Sequence, residues 1–302
     1  MLPQLMFFYC AQIGLFVSAM LAAGRSVIQR LCAAFFVTCA FILAWYAPGM
    51  PLARGLLAFM AAWSLGVVVK IAFSSEEELS VHSRLLQVII MQVFVLPSSL
   101  RATRVPAAFS LRSVIQFVLH LTLAGMALLV LLHTRQLVGT TRLIWRWGAA
   151  VVFSYAGLQF FFDSARLCFL AMGLSLDSLH RTPIAARSLT DFWSQRWNRI
   201  VSAWLHRFVF LPLARRGCPR LGVFCAFLTS GVLHGWWILV AIGISGASMT
   251  LLFFAVQGVF VLAEHRLHIH AWPVPIARGW TLAVLLASSP LIVDPNLRVF
   301  GL

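Results

Sequence analysis

Long stretches without a formally charged residue constrain the fold of this chain more than any other feature. The clearest one covers residues 221–243, where a single histidine, His234, lies among apolar, small and hydroxyl side chains. About 20 such residues in a helix cross the roughly 30 Å hydrocarbon core of a bilayer. The sequence predicts spans at about 5–24, 31–47, 52–73, 113–132, 144–164, 221–243, 247–264 and 277–293.

The composition supports a membrane protein over a soluble one. Hydrophobic residues make up 61% of the 302 positions, charged residues only 10%, and the mean hydropathy is +0.93. That balance excludes a soluble domain of useful size. We therefore expect an all-α fold, a polytopic transmembrane helical bundle of about eight spans with re-entrant or interfacial helices. Residues 1–302 then form a single membrane-embedded domain, divided into N-terminal spans (1–150) and a second half (151–302).

The positive charge is a topology signal rather than a nucleic-acid footprint. The net charge is +15, but the cations are almost all arginines dispersed between apolar runs. With the N-terminus outside, most of the 23 cationic residues, including those of 196–220, fall on the cytoplasmic side, as the positive-inside rule requires. No Lys or Arg precedes the first apolar run, which is long enough to span, so we expect a first span and not a cleaved signal peptide.

Two shorter patterns predict local structure. Ser75 and Glu78 have capping-box spacing and open a helix towards Leu96. Its apolar half, from Leu85 to Leu96, is too short to span, which indicates an interfacial or re-entrant segment. Asp163 and Arg166 are three residues apart on a predicted helix, where pairing would lower the free-energy cost of both charges at the membrane edge. A structural ion pair is the favoured interpretation, and a role in a substrate chamber is the alternative.

The segment from Ser188 to Pro212 predicts a helix with three faces. Ser188 and Asp191 can form its N-terminal cap, and Pro212 is expected to end it. One face carries an aromatic stripe, a second carries arginines, and the third is small and polar. Such a helix suits a position beside a cavity at the membrane interface, and a plain amphipathic surface helix is the alternative.

His234 is the ionisable residue deepest in a predicted span. An ionisable side chain at that depth usually faces protein or a water-filled cavity, which makes it a functional candidate. The alternative is a neutral imidazole that makes a hydrogen bond between helices.

Metal and cofactor motifs are weak in this sequence. The cluster from Glu264 to His270 matches no common zinc spacing, and a solvated helix end is the better interpretation. The six cysteines include no CxxC pair and indicate small core residues. We expect no metal and no resident cofactor.

The block Ser188-Leu-Thr-Asp-Phe-Trp-Ser-Gln-Arg-Trp-Asn198, followed by Ser230-Gly-Val-Leu-His234, resembles membrane-bound O-acyltransferases, most closely the wax synthase branch. The resemblance is strong over about 188–237 and weaker over 155–187 and 250–300. Gln195 and Gly235 depart from the family pattern, which bears on substrate choice more than on the chemistry. The resemblance implies a buried reaction chamber in which Asn198 and His234 are the catalytic pair, with the catalytic half in 151–302. Substrate contacts are expected from Asp191, Trp193, Arg196, Trp197 and Ser230.

The activity implied by the resemblance is transfer of a fatty acyl group from acyl-CoA, as co-substrate, to a hydroxyl acceptor. A lipophilic alcohol is the favoured acceptor, and a terpenoid, a glycerolipid and a glycan are the alternative acceptors. The expected partners are acyl-CoA, the alcohol and membrane lipids, without nucleic acid. The expected location is multi-pass, in a bacterial inner membrane or the endoplasmic reticulum. The alternative is a non-catalytic transporter or lipid-binding protein derived from an acyltransferase.

Overall fold

The computed structural model describes residues 26–72 apart from Pro48, 103–104, 110–171, 174–175 and 178–302, together with Gly14 and Val17. The predicted span at 5–24 and the predicted helix at 75–96 lie outside this part of the chain. The regular secondary structure of the described residues is helical, apart from two strands of two residues each, β1 (Thr103–Arg104) and β2 (Leu174–Ser175), which pair antiparallel. The prediction of an all-α fold with several apolar helices is therefore confirmed.

The α-helices of the described residues are α1 Val27–Tyr46, α2 Pro51–Ala72, α3 Leu111–His133, α4 Gly139–Ala171, α5 Leu189–Asp191, α6 Arg199–Leu205, α7 Leu211–Ala214, α8 Pro219–Ile242, α9 Ile244–Leu267, α10 Val274–Ser288 and α11 Pro290–Val299. Two π-helical segments, Phe192–Arg196 and His206–Phe210, lie between α5, α6 and α7. Short 3-10 turns occupy Thr134–Gln136, Pro183–Ala185 and Ile269–Ala271.

Four helices of the described chain are long and apolar enough to cross a membrane: α1, α3 with its following 3-10 turn, α8 and α9. The pair α10 and α11 adds a fifth if it is one broken span, bent by 44° at the junction. The bend has a local cause, because Pro290 lacks the amide hydrogen that would continue the helical ladder. The predicted total of eight spans stays a prediction.

The chain divides into two compact units. The first takes in the described residues of 1–98, 204–255 and 298–301, and the second those of 99–203, 256–297 and Leu302. Accordingly α9 contributes its residues up to Ala255 to the first unit and its residues from Val256 to the second.

The first unit is packed through small side chains. One stripe of α1 is buried at Ala33, Val37, Ala40 and Ala44, a spacing that keeps small residues on one side of the helix. Gly55 of α2 approaches α8 so closely that an added Cβ would lie 3.2 Å from Ala241 Cβ and from the Trp237 ring. Without a hydrophobic driving force between helices in lipid, close contact between small residues supplies the packing energy.

The second unit is built on the α3–α4 pair. Leu131 and Ala150 are buried against Val293 and Leu297 of α11. A polar contact adds to this packing, since Trp147 Nε1 donates to Ser289 Oγ at 2.6 Å. The polar loop between α4 and α5 belongs to the same unit and contacts the Ser188–Asn198 block.

Candidate active site

The start of the Ser188–Asn198 block is capped as the sequence predicts. Ser188 has extended backbone dihedrals, and its Oγ accepts a hydrogen bond from the Asp191 amide at 2.9 Å. This bond satisfies one of the amide groups that a helix start leaves unpaired. The capping prediction for Ser188 is confirmed.

Glu264 of α9 completes that cap from another part of the chain. Its carboxylate accepts from the amides of Leu189 (2.8 Å) and Thr190 (3.1 Å), and from Trp280 Nε1 at 3.1 Å. Glu264 is only 4% exposed, so these donors replace the water that would otherwise solvate its charge. The sequence favours a solvated helix end for the Glu264–His270 cluster. This interpretation is wrong for Glu264, which is a buried residue of α9.

Asp191 and Arg196 hold the preceding loop against the block. Arg196 Nε donates to Asp191 Oδ2 at 2.7 Å, and the same carboxylate oxygen accepts from the Arg187 amide at 3.2 Å. Arg196 Nη1 also donates to the carbonyl of Thr182 at 3.2 Å. Both predicted substrate-binding side chains thus take part in an internal network, and their contact with substrate stays a prediction.

The two tryptophans of the block are fixed by different partners. Trp193 Nε1 donates to Gln257 Oε1 at 3.0 Å, and Gln257, which is fully buried, donates to Ser288 Oγ at 2.7 Å. The Trp197 ring stacks on Phe192 with centroids 5.5 Å apart. Both indoles are therefore held by contacts with other residues of the second unit.

The helix breaks at Asn198. Its φ is +38°, a left-handed conformation that asparagine adopts more readily than most side chains. The next amide, of Arg199, donates to the Leu179 carbonyl at 3.1 Å instead of continuing a helical ladder. Asn198 Oδ1 then accepts from the Val201 amide at 3.3 Å and so caps α6.

That cap fixes which end of the Asn198 carboxamide is available. The oxygen is turned towards the helix start, so the NH₂ group points away from it. Within the part of the chain that the structure describes, this NH₂ makes no hydrogen bond. A partly buried amide with two unused donors is suited to binding a carbonyl oxygen or an oxyanion.

The predicted single helix from Ser188 to Pro212 is therefore wrong, and so is its continuous aromatic stripe. The left-handed residue interrupts the 3.6-residue period, and the two π-helical segments shift it further. Trp193 reaches Gln257, whereas Trp204 Nε1 donates to the Gly66 carbonyl at 3.0 Å. The expected apolar face is thus divided between separate packing environments.

Pro212 does not end this segment. It lies in the first turn of α7, where its missing amide hydrogen leaves no bond unmade. The π-helical turn before it closes with the Leu211 amide donating to the His206 carbonyl. The segment ends at Ala214.

His234 is held by its own helix, α8. Its Nδ1 lies 2.8 Å from the Ser230 carbonyl oxygen and 3.5 Å from Ser230 Oγ. A carbonyl can only accept, so Nδ1 carries the hydrogen and Nε2 carries the lone pair of the neutral ring. Nε2 makes no hydrogen bond to a described residue, and the ring packs on Phe254 with centroids 4.8 Å apart.

Two glycines bring α9 close to the His234 turn. A Cβ on Gly231 would lie 2.9 Å from Leu251 Cδ1 and 3.1 Å from Phe254 Cβ. A Cβ on Gly235 would lie 3.4 Å from the Ala247 carbonyl oxygen. Close packing against α9 therefore explains why glycines occupy positions 231 and 235, on either side of His234 in the sequence.

Several arginines of the predicted cytoplasmic side surround the start of α8. Gly217, with φ of +79°, turns the chain between α7 and α8, and the arginines on either side are exposed. Arg196 differs from them because it is paired with Asp191. The exposed group consists of Arg215, Arg216 and Arg220.

Asn198 belongs to the second unit and His234 to the first. The prediction that one chamber joins them stays a prediction. Among the described residues, no three His, Cys, Asp or Glu side chains are grouped so that they could hold a metal ion.

Sequence reasoning missed three residues that support this region. Gln257 and Glu264 lie seven positions apart within a predicted span, a spacing that places two polar side chains on one face of a helix. His120 lies inside the predicted span 113–132, where an ionisable side chain is a signal in itself. The Asp163–Arg166 pair is confirmed at 3.7 Å, and His120 joins it, with Nδ1 2.7 Å from Asp163 Oδ2.

Comparison with known proteins places the similarity on this region. Residues 176–256 match the membrane bound O-acyl transferase family. A probable long-chain-alcohol O-fatty-acyltransferase 7 of Arabidopsis thaliana is 34% identical over 143 residues, which are 42% of this chain and 42% of that protein. A probable long-chain-alcohol O-fatty-acyltransferase 3 of the same plant is 36% identical over 106 residues, covering 32% of this chain and 31% of the relative.

A bacterial protein is similar at lower identity. The peptidoglycan O-acetyltransferase of Helicobacter pylori is 25% identical over 131 residues, 41% of this chain and 23% of that protein. The aligned part of the chain thus spans less than half the length of each of these three relatives. The resemblance found in the sequence is confirmed, because residues 176–256 match the membrane bound O-acyl transferase family.

Proposed function

We propose that this chain is an integral membrane O-acyltransferase that moves a fatty acyl group from acyl-CoA to the hydroxyl of a lipophilic alcohol. The observation that carries the proposal is the state of His234. Its Nδ1 hydrogen is committed to the Ser230 carbonyl, which leaves an Nε2 lone pair inside an apolar helix. That is the form of imidazole that general-base catalysis requires.

His234 acts as the base in a direct transfer. Nε2 takes the proton of the alcohol hydroxyl as the alcohol oxygen forms a bond to the thioester carbonyl carbon. The tetrahedral intermediate then breaks its carbon–sulfur bond, and the proton on Nε2 returns to the departing thiolate. The products are an ester and free coenzyme A, and no acyl-enzyme is formed because neither residue of the pair is a nucleophile here.

Asn198 stabilises the charge that develops on the carbonyl oxygen. Its NH₂ group is available because the carboxamide oxygen caps α6. Loss of one such donor typically lowers kcat by about 10²–10³. The left-handed backbone at this position is tolerated by asparagine and holds the donor in place.

The exposed arginines at the start of α8 supply a site for the coenzyme A phosphates. Arg215, Arg216 and Arg220 are exposed, and no salt bridge to a described carboxylate involves them. A guanidinium binds phosphate oxygens through two parallel hydrogen bonds. Arg196, which Asp191 already holds, is the less suitable candidate of those predicted.

The names of the relatives and the apolar spans of the chain both bear on the class of acceptor. The plant relatives are named for long-chain alcohols and the bacterial relative for peptidoglycan. The described chain has no large polar domain to bind a glycan, and its spans favour an acceptor that dissolves in lipid. Asp191, Trp193, Trp197 and Ser230 are proposed to shape the chamber in which acyl chain and alcohol meet.

We place the site within eight spans, with the N-terminus outside and residues 196–220 on the cytoplasmic side. Single cysteines introduced at Arg216 and at Arg142, in a background without native cysteines, test this topology. A membrane-impermeant maleimide added to intact cells should label position 142 and not position 216. The reverse labelling would contradict the topology.

The activity is tested by thiol release from palmitoyl-CoA in the presence of hexadecanol, using the purified chain. We expect thiol release that requires the alcohol, and its loss in His234→Ala. His265→Ala, which removes an exposed histidine, is the matched control and should retain the activity. Wild-type protein without alcohol-dependent release would favour the non-catalytic transporter or lipid-binding alternative, whereas full release in His234→Ala would refute the assignment of His234 as the base.

A further inference from the structure

A second polar site lies in the second unit, between α3, α4 and the loop residues 178–180. It is a cavity of about 60 Å³. Most of its wall is polar, with Gln116, His120, Gln159, Asp163, Arg166 and His180 among the lining residues. A void beside charged side chains does not stay empty, because buried polar groups require partners.

The charges at this cavity balance. Asp163 Oδ2 accepts from His120 Nδ1 at 2.7 Å, and Asp163 Oδ1 lies 3.7 Å from Arg166 Nη1. Asp163 and His120 are both buried, so each needs the other in place of water. With one carboxylate and one guanidinium, the site lacks the excess positive charge that would bind phosphate. The adjacent guanidinium also opposes a divalent cation.

Two polar atoms of the lining residues remain unsatisfied within the described chain. They are Arg166 Nε and His180 Nε2, both buried. His180 Nδ1 lies 3.0 Å from Gln159 Oε1 and donates to it, so His180 Nε2 is an acceptor. Arg166 Nε is a donor. An atom that can both accept and donate a hydrogen bond complements this pair, and a hydroxyl group has that property.

The size of the cavity limits the occupant further. At about 60 Å³, it is well below the roughly 150 Å³ of an engineered cavity that holds a benzene ring. A terminal hydroxymethyl group fits, whereas a sugar ring or a lipid headgroup does not. Beside it on α3, Ile115 and Leu119 are more than half exposed and offer an apolar surface for a hydrocarbon tail.

We propose that this cavity binds the hydroxyl end of the long-chain alcohol acceptor before transfer, as a holding site separate from the reacting position at His234. The inference rests on the proposed function for the identity of the acceptor. His180 links the cavity to the block, because its ring lies edge-on to Trp197 with centroids 4.3 Å apart, one residue before Asn198.

Photolabelling of the purified chain with a hexadecanol analogue that carries a diazirine near the hydroxyl tests the site. We expect labelling of α3 or α4, and competition by hexadecanol but not by hexadecyl methyl ether, which cannot donate a hydrogen bond. Gln116→Phe, which fills the cavity and keeps its charges, should abolish the labelling. Ser164→Ala is the control, because Ser164 Oγ donates to the Phe160 carbonyl of its own helix.

A kinetic readout accompanies the labelling. Loss of the hydrogen bond to His180 Nε2, at about 1.4 kcal/mol, predicts a tenfold higher KM for hexadecanol in His180→Phe, with an unchanged KM for palmitoyl-CoA. If Gln116→Phe fails to fold by thermal melting, Ser178→Leu fills the cavity from the loop side instead. Labelling that survives a folded cavity-filling variant, or equal competition by the ether, would overturn the proposal in favour of a site for water.

The two proposals fail separately. Specific labelling without any alcohol-dependent thiol release would support the cavity as an alcohol site and refute the transferase. Thiol release with labelling that is insensitive to the cavity variants would support the transferase and refute this cavity as the acceptor site.

Discussion

Asn198 combines two roles in one side chain, and substitution can separate them. Its oxygen caps α6, and its NH₂ group is left for the substrate. Asparagine and aspartate are comparable helix caps, and both tolerate a left-handed backbone better than other side chains. They differ in the donor, which aspartate lacks.

We therefore predict that Asn198→Asp melts within a few degrees of the wild type while kcat falls by about 10²–10³. Asn198→Ala should lose the same activity and also about 1 kcal/mol of stability from the missing cap. Thermal melting and the thiol-release assay, run on both variants, check this. Full activity in Asn198→Asp would rule out a donor role.

His180 gives the molecule a dependence on pH that is separate from catalysis. Burial, and next the neighbouring His120, lower the pKa of His180 from 6.5 to about 3. The native state therefore keeps this ring neutral where the unfolded chain protonates it. The stability that depends on the neutral ring is complete above pH 6.5 and is lost as the pH falls from 6.5 towards 3.

The loss amounts to at most about 1.4 kcal/mol per pH unit in that window. We expect the unfolding free energy in detergent to fall between pH 6.5 and pH 5, and to fall less steeply in His180→Gln. The exposed His265, changed to Gln, provides the comparison and should leave the slope unaltered. Identical slopes in His180→Gln and wild type would show that His180 is not protonated on unfolding.

At the scale of the element, α8 and α9 are brought together by the absence of a side chain. Gly231 lies three residues before His234, and its contacts with Leu251 and Phe254 place the imidazole against the Phe254 ring. A methyl group at Gly231 has no room, so the helices must separate or their side chains must leave favoured rotamers.

Gly231→Ala is expected to destabilise the chain by about 1–3 kcal/mol and to lower kcat, because the ring moves with the helix. Gly125→Ala on α3 is the matched control, since a Cβ there meets nothing within 4 Å. Thermal melting of the two variants under the same conditions checks the prediction. A Gly231→Ala protein as stable and active as Gly125→Ala would contradict the packing described for this turn.

The elements also show what a sequence can reveal and what it cannot. Hydropathy predicts the long helices, because a bilayer requires long apolar runs, and Ser188 predicts its cap because that interaction is local. At the break at Asn198, the Arg199 amide donates a hydrogen bond to the Leu179 carbonyl. The hydrophobic periodicity of the sequence cannot predict such a bond, because its two residues lie in different segments. His120 is hydrogen-bonded to Asp163, 43 positions away in the sequence, and Glu264 accepts from the amide of Leu189, 75 positions away.

At the scale of the whole molecule, the polar residues of the site come from distant parts of the chain. α9 holds the Ser188–Asn198 block through Gln257 and Glu264 in the second unit, and packs on His234 through its earlier residues in the first. We propose that Asn198 and His234 face one chamber.

Cross-linking of two introduced cysteines measures that proposal most directly. In a background without native cysteines, Asn198→Cys with His234→Cys is treated with a short thiol-to-thiol cross-linker. Ser230→Cys with His234→Cys, one helical turn apart on α8, shows that the reagent works. We predict an intramolecular cross-link between positions 198 and 234 that palmitoyl-CoA blocks. Its absence, with the control pair fully cross-linked, would contradict a shared chamber.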